Sequence, residues 1–318
     1  MMQWAQTSQL PTEMHREPNP LATRVATPLL WLHGALIVFS TVALVTFLAG
    51  NPPAWLTQEP AQTIYILGWR FSGPSYVVVG ALAALFHAGG KLGWRRAAGL
   101  LVVGFSIALA AELTGTSTGL PFGPYSYTPL LGYRVLGLVP FPIPMSWFFM
   151  LYCSLAMCGR LLRADASSAT KWRWAAMAGL ILTAWDVAMD PAMTVATNHW
   201  IWHTHGFFYG MPLSNWFGWW LTGTIVARAM LMIAGPVAFA ERVSPTNLPL
   251  VLYALNGIMP IALCLRHELW WAGILGAIAM AVPLTLAWMA RRDVRAGYGF
   301  PHTSTPSAGV ARAGDQMV

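Results

Sequence analysis

The chain has 318 residues, of which 56% are hydrophobic and only 9% are charged. A soluble domain carries about 25% charged residues, so this composition argues against a soluble globular protein and favours one that lies within a bilayer. The formal net charge is +7, but the basic residues fall in short groups between apolar segments, which argues against a nucleic-acid partner.

The apolar segments predict an all-α polytopic membrane protein. Residues 1–28 are polar, contain proline and lack the apolar core of a signal peptide, so they are predicted to be a disordered tail, as are residues 293–318. Residues 29–292 are predicted to form one transmembrane helical domain. A spanning helix needs about 20 mostly apolar residues. The eight runs that meet this requirement are 29–49, 70–88, 95–112, 143–163, 172–190, 214–240, 248–266 and 269–290.

The positions of Lys and Arg predict how these helices are oriented. With eight crossings, 14 of the 18 basic residues fall on the side of the N-terminus and three on the other side, while Arg228 lies within the sixth run. Because cytoplasmic loops carry the excess of basic residues, both termini are expected to be cytoplasmic and the protein to reside in the cell (inner or plasma) membrane. The connections 113–142 and 189–213 are then both non-cytoplasmic. They are rich in aromatic residues, Pro and Gly, so we expect them to fold back towards the bilayer or to cap a cavity.

These two connections share a pattern. In each, an acidic residue at a helix end is followed by an aromatic loop, by a Gly and a Pro close together, and by a Trp that opens the next helix. The residues are Glu112, Gly137, Pro140 and Trp147 in the first, and Asp186, Gly210, Pro212 and Trp216 in the second. The pattern is open to two interpretations, an internal duplication or the general abundance of Gly, Pro and Trp in membrane loops.

Three acidic residues, Glu112, Asp186 and Asp190, lie at apolar depth. An acidic side chain at the centre of a spanning helix costs about 2.5–3.5 kcal/mol on insertion scales, so its presence calls for a reason. Asp186 and Asp190 share one helix face at i, i+4, and Pro191 predicts that the helix ends there. Because two buried carboxylates repel when both are ionised, we expect the pair to retain one proton near neutral pH, as a general acid requires. The alternative is a structural role, in which the acids accept hydrogen bonds from Trp, Tyr or loop amides.

Other chemistries have only partial signatures. Asp-x-x-x-Asp is half of the magnesium–diphosphate site of membrane prenyltransferases, but the 189–213 connection has no Lys or Arg to bind a diphosphate. A di-iron oxygenase needs histidines clustered on helices, whereas His199, His203 and His205 cluster in a predicted loop, where hydrogen bonding is the commoner role. No metal and no cofactor are therefore predicted.

Four segments, "ELTGTSTGLPFGPYSYTPLLG", "VPFPIPMSWFFM", "WDVAMDPAM" and "FYGMPLSNWFGWW", resemble the integral-membrane carotenoid 1,2-hydratase family of carotenogenic bacteria and haloarchaea. The resemblance covers about residues 105–222. It implies a cofactor-free hydro-lyase that adds water to the terminal C1=C2 bond of an acyclic carotenoid end, which is lycopene-like, γ-carotene-like or bisanhydrobacterioruberin-like, to give a tertiary alcohol at C1. The residues in the matching motifs are Glu112, the segment 121–127, Asp186, Asp190 and Asn215.

The residues fit this chemistry. Asp186 or Asp190 is expected to protonate C2, and Glu112 or the other Asp to orient the water that captures the C1 cation. Aromatic faces stabilise a desolvated cation by about 2 kcal/mol, although packing or interfacial anchoring is the alternative role of each ring. The residues expected to contact a carotenoid substrate are Phe122, Tyr125, Tyr127, Trp185, Trp202 and Asn215. Membrane lipid is the other expected partner.

Two other functions stay open at this point. A membrane lycopene cyclase also protonates a terminal olefin, but a second olefin captures the cation, so the product keeps the mass of the substrate. A non-catalytic carotenoid or lipid carrier would use the acidic residues structurally and form no product.

Overall fold

The computed structural model describes residues 19–47 and 53–296. Eight long helices lie in this part of the chain, and short elements lie between them. The long helices are α1 (Pro20–Val42), α2 (Ala61–Leu92), α3 (Trp94–Thr118), α4 (Pro142–Leu161), α5 (Ser168–Pro191), α6 (Leu213–Ile233), α8 (Leu248–Arg266) and α9 (Trp270–Ala296). The one-turn helix α7 (Pro236–Ala238) lies between α6 and α8. Most of both predicted tails falls outside the described residues, although α1 begins within the first of them.

Local sequence explains where two of these helices begin. At the start of α1, the side-chain oxygen of Asn19 accepts from the backbone N–H of Leu21 (3.1 Å) and Ala22, and Pro20 takes the first helical position, where no backbone N–H is needed. At the start of α5, Oγ of Ser167 accepts from the N–H of Thr170 at 3.1 Å. Both helices therefore have satisfied amino termini outside the apolar stretch.

Seven helices are long and apolar enough to cross a membrane, which confirms an all-α polytopic membrane protein. Their spanning segments are Pro20–Thr46, Gly73–Leu92, Trp94–Thr118, Pro142–Leu161, Leu213–Ile233, Leu248–Arg266 and Trp270–Ala290. The remaining predicted run, 172–190, is helix α5. It falls below the hydropathy of the others because it carries Asp186 and Asp190 as well as basic residues near its start.

Helix α4 lies at the centre of the bundle, with 83% of its spanning segment buried. It packs against α2, α3, α5, α8 and α9. Helices α5 and α6 lie close together at Gly179 and Gly223: a Cβ at Gly223 would lie 3.1 Å from Cα of Gly179, and a Cβ at Gly179 would lie 2.7 Å from the carbonyl oxygen of Trp220. This contact between small residues, a common device in membrane helix pairs, brings the acidic end of α5 against the first turn of α6.

The two aromatic connections meet at one end of the bundle. Strand β1 (Tyr125–Tyr127) pairs antiparallel with β4 (Trp200–Trp202), and the shorter strands β2 (Arg134–Val135) and β3 (Val139–Pro140) pair within the first connection. In the β1–β4 ribbon, Tyr125 lies opposite Trp202 and Tyr127 opposite Trp200. As expected, both connections contribute to the wall of a cavity. Their assignment to the non-cytoplasmic side stays a prediction.

Candidate active site

A cavity lies beneath the β1–β4 ribbon, between the ends of the long helices. Eight of the nine residues predicted to form a site line it: Glu112, Phe122, Tyr125, Tyr127, Trp185, Asp190, Trp202 and Asn215. The ninth, Asp186, is fully buried and lies behind Asn215, outside the lining. The rest of the wall is largely apolar and aromatic, with Phe149, Trp200 and Trp219 among its rings.

Glu112, on α3, is held by three hydrogen-bond donors. Its Oε2 accepts from the hydroxyl groups of Tyr125 at 2.5 Å and Tyr127 at 2.8 Å, and its Oε1 accepts from Nε1 of Trp147 at 3.0 Å. The side chain is only 3% exposed. A buried carboxyl group is tolerated when its oxygens are paired, and here three aromatic side chains fix its orientation.

The two tyrosines keep their protons. Burial, together with the nearby charge of Glu112, raises the pKa of Tyr125 and of Tyr127 well above the ordinary value for tyrosine. Both hydroxyl groups therefore act as stable donors to Glu112 across the pH range in which a cell operates.

Asp190, at the end of α5, is held by two indole groups. Its Oδ1 accepts from Nε1 of Trp202 at 3.0 Å and its Oδ2 from Nε1 of Trp200 at 3.1 Å. An indole N–H can only donate, so neither Trp can take a proton from Asp190. Asp190 can therefore give a proton only to a group other than these two indoles. Its carboxyl group lines the cavity.

The β1–β4 ribbon thus connects two acids through a four-ring layer. Residues two apart in a strand point to the same face, so the Tyr pair of β1 and the Trp pair of β4 face the cavity together. The ring centroids of Tyr125 and Trp202 are 5.3 Å apart, and those of Tyr127 and Trp200 are 5.8 Å apart. Each strand supplies both of its aromatic donors to one acid.

Asp186 has a different environment, because only one of its oxygens is paired. Its Oδ2 accepts from Nδ2 of Asn215 at 2.8 Å, whereas its Oδ1 is buried and has no hydrogen-bond partner within residues 19–47 and 53–296. Leaving a buried carboxylate oxygen unpaired is costly, so Asp186 is better suited to the neutral acid than to the ion.

Asn256, on α8, is a lining residue that the sequence did not reveal. Its Nδ2 donates to the carbonyl oxygen of Leu252 at 2.7 Å and lies 3.1 Å from Nε2 of His33, whose Nδ1 in turn lies 2.7 Å from the carbonyl oxygen of Tyr76. Because a carbonyl only accepts, Nδ1 of His33 carries the hydrogen and Nε2 accepts from Asn256. The amide nitrogen of Asn256 is therefore occupied, and its oxygen is the group that can face the cavity.

Two tryptophans were also missed. Trp147 donates to Glu112, and its ring stacks on Trp219 with centroids 4.5 Å apart, while Trp200 donates to Asp190. The spacing of "YSY" and "WIW" could have indicated a strand with two aromatics on one face. No sequence signal indicated the contact of Trp147 with Glu112, which joins residues 35 positions apart.

Two of the three clustered histidines, His199 and His203, are hydrogen-bonded within the loops. Nδ1 of His199 lies 2.6 Å from Oγ1 of Thr197, and Nε2 of His203 lies 2.9 Å from Oγ of Ser126. Across the described ranges, no group of three or more His, Cys, Asp or Glu side chains is arranged to hold a metal ion.

The repeated pattern of the two connections acquires a structural counterpart. In the first connection, Glu112 accepts hydrogen bonds from the Tyr pair that follows it in the chain. In the second, the acid that accepts from the following Trp pair is Asp190, not Asp186 as the sequence pattern suggested. Asp190 therefore corresponds to Glu112 in the second connection, and the pairing of β1 with β4 joins the two connections.

Comparison with known proteins places the chain in a family. The family model described as "Carotenoid biosynthesis protein" matches residues 72–283. The bisanhydrobacterioruberin hydratase of Haloarcula japonica is 34% identical over 131 residues, which make up 41% of this chain and 43% of the relative. The matched part of the chain thus spans less than half of that relative, and no solved structure matches. Because the family match extends over more than half of its length, the chain belongs to the carotenoid biosynthesis protein family.

Proposed function

We propose that the protein is a carotenoid 1,2-hydratase, which adds water to the terminal C1=C2 bond of an acyclic, lycopene-like or γ-carotene-like end. The observation that carries the proposal is the presence of two carboxyl groups, Glu112 and Asp190, in the wall of one aromatic cavity. The relative from Haloarcula japonica is named a hydratase, and its name supports the same reaction class.

We assign the proton transfer to Asp190. It lines the cavity, and its indole partners position both oxygens without competing for a proton. Asp186 lies one helical turn earlier and is itself suited to the neutral form, and burial in this largely apolar cavity favours a proton on Asp190 as well. In the reaction, the Asp190 O–H bond breaks, the proton forms a bond to C2, and the electron pair of the olefin leaves a tertiary cation at C1.

We assign the capture step to water held between Asn256 and Glu112. The amide oxygen of Asn256 can accept one hydrogen of this water, and the Glu112 carboxylate can accept the other as the C1–O bond forms. Glu112 takes up the proton that water releases, so one molecule of water is added overall, and return of a proton from Glu112 to Asp190 through water restores both groups for the next turnover. No redox change occurs in this sequence of steps.

The cation between these two steps requires stabilisation. Rings of Trp185, Trp202 and Trp219 line the cavity, and the face of an aromatic ring attracts a cation by about 2 kcal/mol or more when water is excluded. Nε1 of Trp185 donates to the backbone carbonyl of Asn256 at 2.9 Å, which fixes this ring beside the proposed water position.

The test is pigment analysis in a lycopene-accumulating host that expresses the chain or its Asp190→Asn, Asp186→Asn and Glu112→Gln variants. We expect the wild type to form a 1-hydroxy carotenoid, one water heavier than its substrate, and Asp190→Asn to lower its yield at least about 100-fold, the scale of general acid catalysis. A cyclised product of unchanged mass would indicate a cyclase. Undiminished 1-hydroxy product from all three variants would contradict the assigned chemistry.

We further propose that both termini face the cytoplasm and that the protein resides in the cell membrane, on the distribution of Lys and Arg. A reporter that fluoresces only in the cytoplasm, inserted after Arg295, is expected to be active. An active reporter of the periplasmic type at that position would reverse the orientation.

A further inference from the structure

A second cavity lies beside the first, between α1 and α2. Three lining residues, Tyr76, Met193 and Met259, belong to both cavities. The two spaces are therefore neighbours separated by a wall of three side chains, two of which are flexible thioethers that adapt readily to a ligand.

The two cavities differ in chemistry. The first contains Glu112 and Asp190, whereas no Asp, Glu, Lys or Arg of the described chain lines the second. The ionisable side chains in its lining are Tyr65, Tyr76 and His199. Burial lowers the pKa of His199 to about 4, so this ring is neutral at physiological pH. The second cavity thus suits an uncharged, apolar ligand.

Small residues create this space and connect it to the lipid side. Ser40, Ala43, Gly68 and Gly73 all line it. A Cβ at Gly68 would lie 3.5 Å from the ring of Phe39, and the Phe39 side chain is 55% exposed on the outer surface of the bundle. The cavity therefore extends from the acid-lined chamber to a position that faces the bilayer in a membrane-embedded protein.

We propose that the second cavity binds the polyene chain beyond the reacting end, and that the chain enters from the lipid between α1 and α2 past Phe39. The identity of the ligand rests on the proposed function, because an acyclic carotenoid whose end reaches Asp190 carries a long apolar polyene chain, which needs an apolar space of its own. A phospholipid acyl chain is the competing occupant, and the experiment separates the two.

The test fills the second cavity without touching the first. In Ala43→Phe a ring is added to a lining residue of the second cavity that is absent from the first. The control is Val42→Phe, which adds similar bulk at the adjacent position, 48% exposed and outside both linings. Gly68→Leu fills the same cavity from α2, where an added Cβ would lie 3.5 Å from the ring of Phe39, which also lines only the second cavity.

Two quantities are measured on purified protein in lipid nanodiscs. The first is the ratio of kcat/KM for a full-length acyclic carotenoid to that for a short acyclic isoprenoid with the same end group. The second is the amount of carotenoid that stays bound through gel filtration, read from its visible absorbance. We expect Ala43→Phe and Gly68→Leu to lower the ratio and the bound carotenoid about tenfold, a loss equivalent to about 1.4 kcal/mol, and Val42→Phe to change neither.

Each other result has a defined meaning. Wild-type carotenoid binding in both filled variants overturns the proposal, as does an equal loss of activity on the long and short substrates. Displacement of copurifying phospholipid with unchanged carotenoid binding assigns the cavity to lipid and also overturns it. A wild type that binds carotenoid but never forms a hydroxylated product contradicts the hydratase function, while the loss of binding in the filled variants still supports the polyene site.

Discussion

Tyr125 and Trp202 lie opposite each other in the β1–β4 ribbon, and each donates a hydrogen bond to a different acid. Their ring centroids are 5.3 Å apart, so the side chains that fix Glu112 and Asp190 also pack on one another. A displacement of one ring is transmitted to the other by direct contact. The geometry of the two acids is therefore set by one layer of aromatic side chains rather than by two independent contacts.

This coupling predicts the effect of Tyr125→Phe. The change removes the 2.5 Å hydrogen bond to Glu112 but retains the ring that packs on Trp202. Hydrogen bonds to charged groups contribute about 1.5–3 kcal/mol, so we expect a lower melting temperature in detergent and about a tenfold lower kcat. Tyr133→Phe is the control, because Tyr133 lies in the same connection but is 76% exposed. Equal effects of the two substitutions would contradict a specific role for the Tyr125 hydroxyl.

The close approach of α5 and α6 predicts the effect of Gly179→Ala. The added Cβ would lie 2.7 Å from the carbonyl oxygen of Trp220 and 2.8 Å from Oγ1 of Thr224, so the helices must separate. Overpacking of this kind costs about 1–3 kcal/mol, and the separation also pulls Asn215 away from Asp186. We expect a lower melting temperature and reduced activity. Gly99→Ala, where the new Cβ meets only the Ile233 side chain at 3.3 Å, serves as the control and is expected to have a smaller effect on both.

The sequence predicted the bundle and the acids for the same physical reason. Backbone polar groups must be hydrogen-bonded internally within the bilayer, so long apolar runs predict helices. Glu112, Asp186 and Asp190 stand out in these runs because charged groups are costly there. The run 172–190 was found as a helix by the same reading, although its acids lower its hydropathy below that of the other seven. The restriction that proline places on the residue before it predicted that α5 ends at Asp190, and this was wrong: Asp190 and Pro191 are both helical, and the chain continues as a π-helical turn over Ala192–Ala196.

What could not be predicted depends on contacts between distant segments. Nothing in the composition of α1 or α8 indicates that His33 meets Asn256, which is 223 residues further along the chain. The division of labour between Asp186 and Asp190 was also hidden, because both share one helix face. The partners distinguish them: Asp190 receives two indole N–H groups from its own connection, whereas Asp186 receives one amide from α6.

The partly buried His199 predicts a pH-dependent stability. Its pKa is lowered from 6.5 to about 4 by burial, so the unfolded chain binds a proton at a higher pH than the folded chain. The contribution of the neutral ring to stability is thus complete above pH of about 6.5 and declines as the pH falls towards 4. We expect the melting temperature of His199→Gln to fall less than that of the wild type between pH 7 and pH 4. The exposed His267 provides the control, His267→Gln, which should follow the wild type. Parallel curves for all three proteins would contradict the role of His199.

The position of Asn256 predicts that protonation and water capture can be separated. Asn256→Leu removes the amide oxygen proposed to hold the water but leaves Asp190 and its two indole donors in place. In deuterated water, Asp190 carries deuterium to C2, and a cation that no water captures loses a proton or deuteron and returns to an olefin. We therefore expect this variant to lose most of its hydrated product while deuterium still accumulates at C2 of the recovered substrate, as read by mass spectrometry.

His33→Gln, which acts through Asn256, should show the same separation to a smaller degree. His87→Gln is the control for loss of a buried histidine, because His87 bonds Tyr152 and Thr246 and is absent from the cavity lining. If hydration and deuterium exchange fall together in Asn256→Leu, the residue serves the structure of the site and does not position the water.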